Sequence, residues 1–367
     1  MPKDRPKILV AALDWGLGHA ARCIPVVRAL QQQGVVVWLA SSGRALALLR
    51  SEFPDLPYLE LPAYDIRYHK ASMVRSIAGQ LFKINRAILK EHFMLRRFVR
   101  RHDIDAVISD CRFGCFTRRA TCIFITHQLH IRTPNPWLSA AVNAFNRWAI
   151  RRYDGLWIPD YSEGVNTLAG ALSHPVLPGG RYIGLLSRMQ RLEVQERYEV
   201  VAVLSGPEPQ RSLLEKIILE QAKQMDIRLL LVQGKPELLQ QERTLTEGDA
   251  AITTIPALGA AVLNGVLSSA GVIIARSGYS TMMDLARIGK PAILIPTPGQ
   301  TEQEYLAEYW SDKGVFSVWE QAHFDFKKAL LEAKTRKAPD PALFPEGGLE
   351  EAVDGLLKVM SRIKDKG

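Results

Sequence analysis

His19 stands where a side chain can move a proton. It follows Asp14-Trp15-Gly16-Leu17-Gly18, after the apolar run Lys7-Ile8-Leu9-Val10-Ala11-Ala12, and it opens a helix-forming stretch that stops at Gly34. An imidazole at a helix start that faces a ligand crevice takes a proton from a hydroxyl near neutral pH. The positive end of the helix dipole disfavours the imidazolium and helps keep the ring a base. The alternative is a histidine that caps the turn or holds a phosphate without moving a proton. Asp110 ends another apolar run, Ala106-Val107-Ile108-Ser109. It is expected either to orient His19 or to serve as the base itself; the competing reading is a buried pair with an arginine. Gly16, Gly18, Arg112 and His127 also follow strand ends in this half of the chain and are expected on the acceptor side of the crevice.

A second kind of chemistry belongs to Arg276-Ser277-Gly278-Tyr279-Ser280-Thr281, which follows the apolar run Val272-Ile273-Ile274-Ala275. A small-residue turn between a strand and a helix leaves backbone N–H groups and a helix dipole aimed at one spot, which suits a phosphate. Arg276 is expected to add charge against a leaving diphosphate. Asp284 lies further along the same helix, within reach of a ribose or sugar hydroxyl. Ser205-Gly206 follows the strand Val200–Leu204 and offers either a second phosphate-facing loop or an ordinary strand–helix turn. Gln300 and Gln303, behind Pro296 and Pro298, form a polar cluster. Amides and carboxylates suit vicinal diols because they both donate and accept; the alternative is a solvated helix cap.

Other chemistries fit less well. Gly16-Leu17-Gly18 approaches a dinucleotide fingerprint, but the second strand ends in Leu39-Ala40-Ser41-Ser42, with no acid for a nicotinamide ribose. No His, Cys or carboxylate spacing indicates a metal. Cys23, Cys111, Cys115 and Cys122 read as buried reduced thiols of a cytoplasmic protein. No apolar run reaches the ~18 residues of a spanning helix, and the N-terminus has no apolar signal segment. The net charge of +9 is uneven. Residues 1–165 hold 24 Lys and Arg against 13 Asp and Glu. Much of the excess lies in Arg86, Lys90, Arg96, Arg97, Arg100 and Arg101, interleaved with Phe82, Leu89 and Phe93; a second cluster is Arg118, Arg119, Arg147, Arg151 and Arg152. A basic amphipathic helix suits an anionic membrane surface or acceptor, or else is a solvated outer face. No recognition motif supports a nucleic-acid partner.

The elements that must position these residues alternate. Apolar strands separated by helices predict a parallel sheet covered on both faces, and the alternation restarts near Val200. The fold class is therefore α/β, with two doubly wound Rossmann-like domains facing a cleft at their carboxyl ends. The expected boundaries are 1–185 for an acceptor-binding domain and 186–343 for a nucleotide-sugar-binding domain. Residues 344–367 repeat apolar positions every three or four residues and predict an amphipathic helix, with the first domain as a candidate surface. Residues 71–101 are expected to be helical, and 164–199 to be a loosened connection.

The turn at 276–281, with Asp284, Gly289-Lys290-Pro291, Pro296, Gln300 and Gln303, resembles the C-terminal donor domain of the MurG-like and monogalactosyldiacylglycerol synthase-like glycosyltransferases of GT-B fold. Gly16-Leu17-Gly18-His19 matches that family's N-terminal loop, and Ser205-Gly206 its loop at the start of the second domain. The chain departs in having Asp284 where the family usually has Glu, and Leu306-Ala307 where it usually has Asn-Ala. The resemblance implies that Asp284 holds the ribose of UDP. It also implies that Ser205, Gly206 and Ser277 to Thr281 hold diphosphate, that Gln300 and Gln303 hold the donor sugar, and that His19 lies between donor and acceptor. The expected activity is a metal-independent, inverting hexosyl transfer from a UDP-linked sugar, a substrate rather than a cofactor, to a hydroxyl of a lipid or cell-envelope acceptor. The alternatives are an epimerase or hydrolase of the same fold, or a non-catalytic sugar-nucleotide-binding protein.

Overall fold

The computed structural model describes residues 5–64, 80–133, 135–162, 167–235 and 251–364. The chain forms two compact units: Met1–Leu186 with Pro345–Gly367, and Ser187–Phe344.

In the first unit the strands are β1 Lys7–Ala12, β2 Val36–Ser41, β3 Tyr58–Glu60, β4 Ala106–Asp110, β5 Thr121–Ile125, β6 Gly155–Ile158 and β7 Gly180–Tyr182. They form one sheet in the order β3-β2-β1-β4-β5-β6-β7, paired in parallel throughout. Ile8 to Ala12 are fully buried, as a strand covered on both faces requires. The sheet runs outward from β1 to β2 in one direction and from β4 to β5 in the other. A crevice opens at such a switch point, beyond the carboxyl ends of its two strands. Those ends carry the loop to His19 and Asp110 itself.

The helices of this unit are α1 Leu17–Gln32, α2 Gly43–Glu52, α3 Leu81–His102 and α4 Pro136–Ile150. Gly16 precedes α1 with φ 87°, a conformation that lets the chain turn sharply from β1 into the helix. The helix expected over 71–101 is described from Leu81 onward; residues 71–79 lie outside the described residues. The start of α4 is marked in the sequence by Asn135 before Pro136. The Asn135 side chain accepts from the N–H of Trp137 and of Leu138. The stretch expected to be a loose connection contributes β7, a three-residue edge strand too short for pattern reading.

In the second unit the strands are β8 Tyr198–Val203, β9 Leu229–Val232, β10 Ile252–Ile255, β11 Ala270–Ala275, β12 Ala292–Leu294 and β13 Ser317–Val318. The helices are α5 Gln210–Ala222, α6 Ala260–Ser268, α7 Tyr279–Ile288, α8 Thr301–Asp312 and α9 Phe326–Thr335. The sheet order is β10-β9-β8-β11-β12-β13, again parallel. Its switch point lies between β8 and β11, so the Ser205 loop and the Arg276 turn flank one crevice mouth. Their core is apolar, with Val200, Ala202, Leu231, Ile274, Ile293 and Phe326 packed together.

The last helix, α10 Gly348–Lys364, belongs to the first unit and packs against α1. Its buried residues are Leu349, Ala352, Val353, Leu356 and Met360, the apolar face that the period of three and four predicts.

Candidate active site

The first unit gathers four polar groups at its switch point. His19 Nδ1 lies 2.9 Å from Asp110 Oδ1. Arg22, one helical turn after His19 on the same face of α1, donates through Nε and Nη2 to the two oxygens of Asp110. Arg22 Nη1 lies 3.2 Å from His127 Nδ1, and Nη2 lies 2.8 Å from His19 Nδ1. Asp110 is wholly buried, and the Arg22 guanidinium and His19 hold its carboxyl far below the usual carboxylate range in spite of that burial. Burial and the adjacent Arg22 charge lower His19 from its ordinary value, against the opposing pull of Asp110. His19 is therefore unprotonated near neutral pH. Its side chain is 19% exposed, so the ring is open at one edge.

Arg112 is corrected. Expected on the acceptor side, its side chain is 0% exposed and turned into the unit; the arginine paired with Asp110 is Arg22. It donates to Glu91 Oε2 at 2.5 Å, Ser42 Oγ at 2.6 Å, the Ala12 carbonyl at 2.7 Å and the Pro62 carbonyl at 3.2 Å. Asp14 lies 3.7 Å from it. Burial pushes the Glu91 carboxyl up, and Arg112 holds it down in part. Glu91 is further held by the Gly114 N–H at 2.9 Å and the Tyr64 hydroxyl at 3.2 Å. This cluster braces the Asp14 loop, β4 and α3 together; it is a support beneath the crevice rather than part of its lining.

In the second unit, Gly278 immediately precedes α7 and provides no side-chain cap for the helix N-terminus. Ser205 and Gly206 are exposed, and Gly206 has φ 100°. A Cβ at position 206 would stand 3.5 Å from Thr297 Oγ1, so the loops after β8 and β12 approach closely. Ser277 Oγ donates to the Gln303 carbonyl at 2.7 Å. Gln303 accepts from the Thr297 N–H at 2.8 Å and donates to Gln300 Oε1 at 2.5 Å. Ser280 and Thr281 lie on the first turn of α7, partly buried. Asp284 accepts from Ser187 Oγ at 2.6 Å. Burial raises its carboxyl to about 6, against the Arg188 charge and the Ser187 bond.

Arg276 is only 1% exposed; its Nη1 and Nη2 are committed to protein carbonyls and an amide, while Nε has no hydrogen-bond partner among the described residues. Nη1 donates to the carbonyls of Ile295 and Pro296, both at 3.1 Å; Nη2 donates to the Gln210 carbonyl at 2.9 Å and to Gln321 Oε1 at 2.6 Å. Burial lowers it to about 10. The side chain ties the loops after β8 and β12 to the loop carrying Gln321.

The residues that sequence reasoning missed are Arg22, Glu91 and Arg188. Arg188 Nε and Nη1 are buried with no hydrogen-bond partner among the described residues, close enough to Asp284 to depress its carboxyl. Buried unpaired donors are costly and mark a place where a ligand can complete the bonding. His19, Asp110 and Cys111 offer three metal-ligating atoms within 4.8 Å of one another. The Arg22 guanidinium already occupies Asp110 and reaches Cys111 Sγ at 3.4 Å, which disfavours a cation there.

The sequence profile described as "Glycosyltransferase family 28 C-terminal domain" matches residues 200–346, all but the last two of them in the second unit. A Pasteurella multocida protein is 24% identical over 341 residues, covering 90% of this chain and 88% of its own length. One from Mannheimia succiniciproducens is 26% identical over 351 residues, covering 88% and 87%. Both are named UDP-N-acetylglucosamine--N-acetylmuramyl-(pentapeptide) pyrophosphoryl-undecaprenol N-acetylglucosamine transferase. The crystal structure of Acinetobacter baumannii MurG shares the fold with a TM-score of 0.56 and 16% identity over 96% of this chain and 99% of that one. The glycosyltransferase SnogD from Streptomyces nogalater shares it with a TM-score of 0.61 and 13% identity, over 97% and 100%. With a family 28 C-terminal domain in its second unit, relatives along most of its length and two doubly wound sheets, the chain has the GT-B fold and is similar to the MurG-like glycosyltransferases.

Proposed function

We propose that the chain transfers a hexosyl unit from a UDP-linked sugar to a hydroxyl of a lipid-linked acceptor, with inversion, and that His19 is the base. The observation that carries this reading is the His19–Asp110 pair at 2.9 Å, on an unprotonated ring with one open edge. The acceptor oxygen attacks the anomeric carbon as His19 takes its proton. The bond from that carbon to the diphosphate oxygen breaks on the opposite side, and UDP leaves with the electron pair. Charge developing on the diphosphate is met by N–H groups at the start of α7, by the Ser205-Gly206 loop and by Arg188. The Asp284 carboxylate accepts from the ribose hydroxyls, and the Gln300–Gln303 pair meets the sugar. The UDP donor and the lipid-linked acceptor are supported by the names of the relatives.

The first unit's surface supports a lipid partner as well. Phe82 on α3 is 84% exposed and Trp137 on α4 is 85% exposed, with Leu89, Phe93, Phe145 and Trp148 also outward. Arg152 lies 3.4 Å over the Trp148 ring, beside Arg151. Aromatic side chains among arginines suit the headgroup layer of an anionic membrane. Among the described residues no helix is long and apolar enough to cross a membrane, so the proposed attachment is peripheral.

The test is a thermal-shift screen of nucleotide sugars followed by UDP release with and without a membrane-lipid extract. Stabilisation by a UDP-sugar and acceptor-dependent release are expected. Equal UDP release without acceptor would assign a hydrolase, and binding without turnover would assign a non-catalytic binder.

A further inference from the structure

We propose that Gln303 is a positioning residue that turns the amide nitrogen of Gln300 outward, so that the second unit meets an oxygen of its donor sugar with N–H donors from Gln300. The inference rests on the reading of this unit as the UDP-sugar site.

The directions of two hydrogen bonds carry the assignment. The Thr297 backbone N–H only donates, so the Gln303 atom 2.8 Å from it is the side-chain oxygen. The other end of that amide is the nitrogen, which donates and does not accept. It lies 2.5 Å from the Gln300 amide, and the atom that receives it is Gln300 Oε1. The remaining end of Gln300 is Nε2, with two hydrogens that have no partner among the described residues. Reversing the Gln300 amide would set nitrogen against nitrogen. Reversing Gln303 would set its nitrogen against the Thr297 N–H. One backbone group therefore fixes the direction of both amides.

Gln303 is itself held in place. It lies in the first turn of α8, and its carbonyl accepts from Ser277 Oγ at 2.7 Å. A Cβ at position 278 would stand 4.0 Å from Gln303 Nε2, so this amide lies against the turn that opens α7. Thr297, the origin of the chain of bonds, is buried. Gln300 immediately precedes α8 and its side chain makes no capping bond to that helix. The helix-cap alternative for this glutamine is thus not realised, and its nitrogen is left for another partner. A pair of N–H donors calls for an oxygen lone pair. A hydroxyl or an acyl carbonyl of a sugar supplies one, and a deoxy carbon does not.

The test is calorimetry with UDP and with UDP-glucose, UDP-galactose and UDP-N-acetylglucosamine. The quantity read is the affinity for the tightest UDP-sugar divided by that for UDP, which isolates the sugar from the nucleotide. Gln300→Leu should lower this ratio by about 3- to 10-fold, the loss of one hydrogen bond, and leave UDP affinity within about twofold. Gln303→Glu still accepts from the Thr297 N–H but cannot donate, so Gln300 turns its oxygen outward and the ratio should fall by a similar factor. Gln303→Met, which carries no charge, should lower it as well. The double variant Gln300→Leu with Gln303→Met should be no worse than Gln300→Leu alone, because a positioning residue acts only through the group it positions. A merely structural role would lower UDP affinity along with the ratio. An unchanged ratio in Gln300→Leu overturns the proposal, and so does a further fall in the double variant, which would put Gln303 itself on the sugar. In both cases UDP-sugar binding by the wild-type protein stands. Wild-type protein that binds neither UDP nor any of the three sugars overturns the UDP-sugar reading, and this inference with it.

Discussion

Replacing Arg112 by Met tests whether this arginine supports the first unit or serves its crevice. The side chain is fully buried and makes four hydrogen bonds, one of them to the equally buried Glu91. Methionine fills similar volume but leaves Glu91 with no charged partner from position 112, held by the Gly114 N–H and the Tyr64 hydroxyl. Removing one partner of a buried pair costs about 3–5 kcal/mol, because the remaining charge stays uncompensated. At roughly 2–4 °C per kcal/mol for a unit of this size, the midpoint should fall by about 6–20 °C. The cost should depend on pH. Glu91 is already raised by burial, and losing Arg112 raises it further. A group whose folded value is raised stabilises the fold while it stays protonated, and that contribution is lost as pH rises through the folded value. The deficit should therefore be smaller at pH 5 than at pH 8. Replacing both residues, Arg112→Met with Glu91→Leu, should recover most of the loss, since no charge is left stranded. The assay is thermal unfolding by circular dichroism at both pH values. A loss under about 1 kcal/mol, or a double variant no better than the single, would refute the reasoning.

Three further outcomes follow from the geometry. UDP affinity should weaken as pH falls through about 6, because the raised Asp284 carboxyl then becomes protonated and loses acceptor strength; calorimetry should show this decline, and the Asp284→Asn protein should show little of it. Gly206→Ala should cost about 1–3 kcal/mol, since φ 100° strains a residue with a side chain. It should also weaken UDP binding, as the new Cβ faces Thr297 Oγ1; an unchanged melting midpoint would contradict this. Phe82→Asp with Trp137→Asp should reduce co-sedimentation with anionic liposomes without lowering thermal stability, because both side chains lie at the surface; unchanged sedimentation would remove the membrane from the account.

The legible parts of the sequence are those with local signatures. Strand runs such as Ile8-Leu9-Val10 and Val272-Ile273-Ile274 mark parallel sheets because burial on both faces removes the polar alternation. The small-residue turns at Gly16 and Gly278 mark the two crevice mouths for the same local reason. The partners inside each site were not legible. Arg22 meets Asp110 across 88 positions and Ser187 meets Asp284 across 97, and no local pattern encodes such pairs. Two weaker signals were present. Arg22 lies three residues after His19 in a helix, which puts both on one face. Glu91 is the sole acid in the basic stretch of α3, where a lone opposite charge suggests an inward partner. Arg112 and Arg276 were assigned to ligands because they follow strand ends, where ligand-facing side chains are common. Both turn inward, because the loops around them expose carbonyls that need donors.

The central claim is that nucleotide binding belongs to the second unit and proton removal to the first. It is tested most directly by measuring UDP affinity and acceptor-dependent turnover together in His19→Ala and Asp284→Ala. The account predicts that His19→Ala binds UDP within about twofold of wild type while turnover falls by about 10²- to 10⁴-fold. It predicts that Asp284→Ala weakens UDP binding by roughly tenfold or more, the loss of a charged hydrogen bond. Full turnover in His19→Ala, or undiminished UDP affinity in Asp284→Ala, would contradict it.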